Sequence, residues 1–383
     1  MSEWKEVKIS DIAEVVGGGT PSTSISEYWN GDISWLTPKD LTNYKRIYIS
    51  KGERSISEEG LRKSSAKLMP EGTVLLTSRA PIGYVAIASN PICTNQGFKS
   101  FVVNAEIANN LFIYYWIKNN KEYLESIGTG TTFTEISGSV VKDIDILLPP
   151  LPEQKAIASV LSSLDDKIDL LHRQNKTLEA MAETLFRQWF VDEAKEDWKL
   201  GKLPDEFDFT MGQSPPGNSF NEIGNGTPMF QGNADFGFRF PNERVFTKDP
   251  KRFAKPFDTL ISVRAPVGAQ NMAKKECCIG RGVAAFRYKA NPEYYTYTYF
   301  KLRSLMNEIK QFNNEGTVFG SISKSDFEAL EIMIPDFKTI EKFQLQVKPI
   351  DDKVIANCNQ IESLTSLRDM LLPKLMSGEV KVE

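Results

Sequence analysis

The sequence predicts an α+β protein in which two similar globular domains are separated by two long helices that pair as an antiparallel coiled coil, the halves related by a pseudo-two-fold internal repeat. Three observations predict this. Residues 75–103 (LLTSRAPIGYVAIASNPICTNQGFKSFVV) and 260–288 (LISVRAPVGAQNMAKKECCIGRGVAAFRY) align without a gap at an offset of 185, so the chain is written twice. Each copy mixes short β-rich runs with helical patterns. Each copy is then followed by a long stretch whose apolar residues recur at spacings of three and four, the signature of a coiled-coil seam.

The repeat orders the chain as two globular segments, 1–150 and 196–335, alternating with two helical ones, 151–195 and 336–383. GTTFTEIS at 130–137 answers GTVFGSIS at 316–323, and DDKID at 165–169 answers DDKVI at 351–355, both at offset 186. Trp4-Lys5 and Trp198-Lys199 open the two copies. In the first copy GTVLLTS and DIDILLP read as strands, while ISEEGLRKSSAKL and EIANNLFIYYWIKNNKEYLESI read as helices. In the second, DTLISVR and LEIMIP are the strands and PEYYTYTYFKLRSLMNEIKQF the helix, its tyrosines expected to pack. Gly17-Gly18-Gly19 lacks the strand–turn–helix spacing of a dinucleotide site and reads as a loop.

The first helical stretch starts after LPPLPEQ, with Pro152 and Glu153 suited to a first turn. Its seam runs Ile157, Leu161, Leu164, Ile168, Leu171, Asn175, Leu178, Ala182, Leu185 and Trp189. The second seam runs Phe343, Val347, Ile350, Val354, Asn357, Ile361, Leu364, Arg368, Leu371 and Leu375. At 1.5 Å per residue each helix is about 60 Å long. The second globular segment lies between the seams, so the chain leaves one helix at its end and returns to begin the next, which dictates antiparallel pairing. Asn175 and Asn357 are polar breaks, one in each seam; facing one another, they would fix the register at some cost in stability.

Composition excludes several functions. The chain has 383 residues and 41% hydrophobic content, the balance of a folded soluble protein, and no stretch approaches the roughly 20 apolar residues of a membrane helix. MSEWKEVKIS carries no apolar signal core, and Cys93, Cys277, Cys278 and Cys358 form no CxxC pairing, so a cytoplasmic location is expected. With one histidine, His172, His-based zinc and HNH nuclease sites are excluded, and no metal site is expected. No GxxxxGK[ST] loop and no [ND]PP[YF] motif is present. Pro335-Asp336-Phe337-Lys338 lacks the second acidic strand of a nuclease; Asp336 reads instead as a helix cap. The net charge is −4, against the basic footprint usual for nucleic-acid binders, although bases outnumber acids over 239–287.

The domain–helix–domain–helix order, the segment LPPLPEQKAIASVLSSLDDKIDLLHRQNKTLEAMAETLFRQWF, the R-A-P-x-G strand ends and the closing LLPKLMSGEV together resemble the specificity subunit of type I restriction-modification systems. The likeness covers essentially the whole chain and is strongest after LPPLPEQ. It implies a non-catalytic subunit reading a bipartite, gapped site in double-stranded DNA, one target-recognition domain per half, with the helices setting the gap. It further implies two docked methyltransferase subunits that carry S-adenosylmethionine and methylate adenine, and helicase–nuclease subunits in the full complex. No cofactor is expected on this chain. A free-standing two-headed DNA-binding protein and a scaffold with no DNA role are the alternative readings.

The repeat also sorts the candidate DNA contacts. Residues identical in both copies cannot discriminate two different half-sites, so Arg79 and Arg264 are expected to be structural or to touch phosphate. Base readers belong where the copies diverge on a shared frame: Asn95-Gln96 lies opposite Gly280-Arg281, and an amide suits adenine as a guanidinium suits guanine. An ordinary turn is the competing reading there. Lys39, Lys45, Arg46, Arg239 and Arg244 are further loop candidates, each alternatively a solvated surface charge. Phe186, Trp189 and Phe190 are candidates for contacting a methyltransferase, or for packing on the adjacent domain.

Overall fold

A computed structural model describes residues 4–79, 81–130, 134–311 and 320–382. The repeated GTTFTEIS and GTVFGSIS segments lie partly outside the described residues, as does Ala80 of the first R-A-P motif. The chain forms two compact units, residues 1–170 with 361–383 and residues 171–360.

In the first unit a five-stranded sheet is ordered Ala13–Gly17, Phe98–Val103, Val74–Thr77, Val85–Ala88 and Tyr48–Ile49. A three-stranded sheet, Arg54–Ile56, Trp29–Leu36 and Cys93–Thr94, is built from strands interleaved with these along the chain. In the second unit the counterpart of the first sheet has four strands: Phe207–Met211, Val283–Tyr288, Thr259–Ser262 and Gln270–Met272. The central hairpins match. Val74–Thr77 pairs antiparallel with Val85–Ala88, as Thr259–Ser262 does with Gln270–Met272, and the glycine of the R-A-P-x-G motif falls in the connection in each copy. That glycine is required: Gly83 and Gly268 have positive φ, at +91° and +83°, where a Cβ would be strained.

Helices follow in the same order in both units. Asn110–Asn119 and Lys121–Ser126 correspond to Tyr295–Ser304 and Met306–Gln311; both longer helices are buried along most of their length, which is the packing role expected of the tyrosines. The helix expected over ISEEGLRKSSAKL is confined to Glu58–Arg62, capped by Ser57. Strands Asp145–Leu148 and Glu331–Ile334 then pair with Lys5–Lys8 and Lys199–Lys202 and lead into the long helices.

Those helices are Leu151–Arg187, continued by a π turn over Gln188–Asp192, and Phe337–Met376. Both starts are tied to the opening tryptophan of their copy: Trp4 Nε1 donates to Glu153 Oε1 at 3.2 Å, and Trp198 Nε1 to Asp336 Oδ2 at 3.2 Å. Asp336 also caps its helix, accepting from Thr339 N at 2.9 Å. The second helix passes through Pro349, which denies the Leu345 carbonyl its partner; both residues are exposed, so water can satisfy it.

The helices run antiparallel within each unit. In the first, Leu161 shares a core with Leu372 and Leu375, and Asp165 is ion-paired to Arg368. In the second, Phe186 packs edge-on against Phe343, ring centroids 5.5 Å apart, and Asn357 Nδ2 donates to Asn175 Oδ1 at 2.9 Å with both residues fully buried. The seam differs from the expected one in its polar members. Leu164, Ile168, Leu178 and Leu185 are only half-buried, whereas Gln154, Asp165, Glu179, Gln344 and Asp351 are buried. Each helix packs against the globular part of its unit as well as against the other helix, so its buried stripe is wider than a seam.

Candidate nucleic-acid interface

The same three chain segments meet at one end of the central hairpin in both copies. In the first, Ser78 N donates to the Gly97 carbonyl at 2.8 Å and the Ser78 carbonyl accepts from Ile136 N at 2.9 Å. In the second, Val263 N donates to the Gly282 carbonyl and the Val263 carbonyl accepts from Ile322 N, both at 2.9 Å. Adjacent chains in such a ladder lie about 4.8 Å apart, so each copy presents a row of three neighbouring side chains. The row is Gln96, Arg79, Glu135 in the first copy and Arg281, Arg264, Ser321 in the second. The central arginine is shared and the flanks differ.

A further loop supports the row in each copy. Gly19 N donates to the Thr94 carbonyl at 2.9 Å, and Gln213 N to the Ile279 carbonyl at 3.0 Å. Thr20 Oγ1 donates to Gln96 Oε1, while Ser214 Oγ accepts from Arg281 N at 3.3 Å. This explains the middle glycine of the triple: a Cβ on Gly18 would collide with the Asn95 carbonyl, as one on Gly212 would with that of Gly280. Asn95 is a turn residue, its Oδ1 accepting from Gly97 N at 2.9 Å, whereas Gln96 and Arg281 are exposed.

The arginines differ in their surroundings. Arg79 bridges to the segment of Glu135 and lies 3.8 Å from its carboxylate, which also accepts from Lys99 Nζ at 3.1 Å. Arg264 makes the same backbone bridge to Ser321, is exposed, and has no ion pair among the described residues. It lines a groove of about 820 Å³ together with Gln231, Asp235, Glu243 and Arg244.

The remaining candidates separate into surface and interior. Lys45 is exposed; Lys39 is paired with Glu53 at 2.8 Å, Arg46 with Asp169 at 2.9 Å and Arg244 with Asp235 at 2.6 Å. Arg239 is a correction. It is neither a DNA-facing nor a solvated charge but fully buried, with Nη1 2.9 Å from Asp351, Nη2 3.2 Å from Glu179 and its guanidinium over the Tyr299 ring at 3.9 Å. Burial opposes its charge, but Tyr299, Asp351 and Glu179 outweigh burial and hold its pKa above the ordinary value. Phe186 and Phe190 are corrections of the same kind: stacked on one another and packed on Phe343, they belong to the core and are closed to a partner. Trp189 is half-buried against Phe343.

The sequence reading missed Glu135 and Ser321. The signal was present, since TEIS and GSIS align in the repeat with a carboxylate opposite a hydroxyl, but only the ladder brings those residues beside Arg79 and Arg264.

A model of the type I restriction modification DNA specificity domain matches residues 1–180 and again 195–363. The chain belongs to this family. The MjaIX type I restriction enzyme specificity subunit of Methanocaldococcus jannaschii is 36% identical over 100% of this chain and 94% of its own length. A putative type I restriction enzyme MjaX specificity subunit from the same organism is 32% identical over the same shares. The crystal structure of a type I S subunit from M. genitalium superposes with a TM-score of 0.65, at 20% identity, covering 98% of this chain and 96% of that one, which establishes the shared fold. As a specificity subunit the chain is a DNA-recognition component of a larger complex and not its catalyst. The two matched domains are its two copies, each carrying one three-residue row. Among the described residues of this specificity subunit, no helix is long and apolar enough to cross a membrane and no cluster of three metal-ligating side chains occurs.

Proposed function

We propose that this specificity subunit reads a bipartite, gapped site in double-stranded DNA, one half per copy, with the paired helices setting the gap and the asparagine pair fixing their register. The observation that carries the reading is the row itself: the same backbone hydrogen bonds, a shared arginine, and flanking side chains, exposed or part-exposed, that differ between copies. Arg79 and Arg264 contact phosphate and set the register on the duplex. Gln96 suits adenine and Arg281 guanine by donor and acceptor geometry, while Lys39, Lys45 and Arg244 add weaker phosphate contacts. Two methyltransferase subunits dock on the chain and bring S-adenosylmethionine, which this subunit does not itself hold; helicase–nuclease subunits join for restriction, and the complex works in the cytoplasm. The net charge of −4 fits a subunit whose affinity depends on its partners, because phosphate neutralisation supplies most binding energy.

The test is a modification map. The subunit is expressed with its methyltransferase in a host lacking that activity, and N6-methyladenine is located by long-read sequencing. A single two-part motif, lost when the subunit is omitted, is the expected result; Arg281→Ala then relaxes one base in one half. Absence of new methylation with both proteins folded would favour a free-standing binding protein or a scaffold.

A further inference from the structure

We propose that Glu135 and Ser321 are a second pair of specificity-determining residues, reading on the opposite side of the shared arginine from Gln96 and Arg281; the inference rests on the DNA-reading function above. Three observations place them there. Ile136 and Ile322 make the same backbone hydrogen bond to the residue preceding the shared arginine, so Glu135 and Ser321 occupy one position on one frame. Their bridges to Arg79 and Arg264 are likewise the same. Their chemistry differs while the frame does not, the pattern expected where two copies discriminate two half-sites.

Glu135 is built as an acceptor that can approach a duplex. A bare carboxylate near phosphates is repelled, but this one is held between Lys99 Nζ at 3.1 Å and Arg79 Nη1 at 3.8 Å, with its side chain still 37% exposed. The two cations offset its charge and fix its direction, leaving lone pairs for an incoming donor. In the major groove the donor a carboxylate selects is the cytosine N4 amino group. Ser321 is exposed, and position 284, where the repeat of Lys99 falls, is the buried Ala285 neighbour Ala284; the second copy therefore has no lysine to hold a carboxylate there. A hydroxyl donates or accepts, so that position is more permissive. Each copy then reads with a row of reader, phosphate anchor, reader: amide, arginine, carboxylate in one and guanidinium, arginine, hydroxyl in the other.

The experiment compares modification maps of the assembled methyltransferase containing wild-type subunit, Glu135→Gln or Ser321→Glu. The wild-type map tests the parent reading: without a two-part motif, that reading fails and takes this one with it. Given the motif, Glu135→Gln retains an acceptor for Lys99 but loses the carboxylate, and preference at one base pair of one half-site should fall at least about tenfold with the other half unchanged. Ser321→Glu, at an exposed position, should alter a base preference in the opposite half only. A wild-type motif at every base in both folded variants would overturn the inference. So would a uniform loss of methylation across all sequences, which marks a structural or phosphate role.

Discussion

The two copies share a backbone and differ in where they place their charges. At the three-residue row, Arg79 is restrained by Glu135 while Arg264 faces Ser321 and stays open. Inside, the difference is larger. Ile87 N donates to the Ile47 carbonyl and Met272 N to the Arg239 carbonyl, so Ile47 and Arg239 are equivalent, yet one is an ordinary core residue and the other a buried cation. The first unit draws its arginine from elsewhere: the part-buried Arg368, on the second long helix, meets Asp165, which also accepts from the Tyr115 hydroxyl at 2.8 Å. Both units thus set an arginine, fully buried in the second and part-buried in the first, against the buried leading aspartate of the repeated Asp-Asp-Lys motif, supplied from different elements. The frame is a property of hydrogen-bonded backbone, and the residues on it can diverge as long as every buried charge keeps a partner.

The largest expected break of this comparison is Arg239→Ala. It strands Asp351 and Glu179 in the interior of the second unit and should cost about 3–5 kcal/mol in urea unfolding, whereas Arg46→Ala, which opens an exposed pair in the first unit, should cost less than about 1 kcal/mol. Equal effects would remove the distinction between the units.

Asn175→Leu comes next. It leaves the buried Asn357 amide without its partner and should lower stability by about 1–3 kcal/mol. Adding Asn357→Leu should recover part of the loss, so that a double-mutant cycle by thermal unfolding shows coupling; simple additivity would mean that the 2.9 Å contact is energetically idle.

On DNA binding by the assembled complex, Arg264→Ala should reduce the slope of log K against log salt by about 1, one phosphate contact. Arg79→Ala should reduce it by less, because Glu135 already occupies that guanidinium. A larger change for Arg79 would reverse the reading of the two arginines.

The smallest effect concerns acid. The Asp336 carboxyl is held below its ordinary value of 3.8, chiefly by the hydrogen bond from Lys195, opposed in part by desolvation. A depressed carboxyl contributes stability above its unfolded pKa and loses it as pH falls through the folded one. The wild-type melting temperature should therefore fall more steeply below about pH 4 than that of Asp336→Asn. The first copy has Pro150 at this repeat position and Glu153 receiving Trp4 instead.

Much of this was legible in sequence because local chemistry wrote it. The offset of 185 follows the R-A-P-x-G turn, whose glycine must adopt a left-handed φ in both copies. Asp336 was legible as a cap because a carboxylate after proline suits a helix start. Arg239 was not legible: an arginine between phenylalanines in a glycine-rich loop reads as surface charge, and only the fold brings Glu179 and Asp351 from two distant helices to it. Phe186 and Phe190 failed as exposed anchors for the same reason, since what covers them, Phe343, lies far along the chain.

By itself the sequence determined the repeat, the two long helices, their antiparallel sense and the shared arginine, because periodicity, turn chemistry and chain connectivity are local or topological constraints. Only the tertiary structure decided which polar side chains are buried, that the two asparagines meet, and that Gln96, Arg79 and Glu135 form one row with Arg281, Arg264 and Ser321 as its counterpart. Those outcomes depend on hydrogen bonds between segments far apart in the chain, and no single segment carries them.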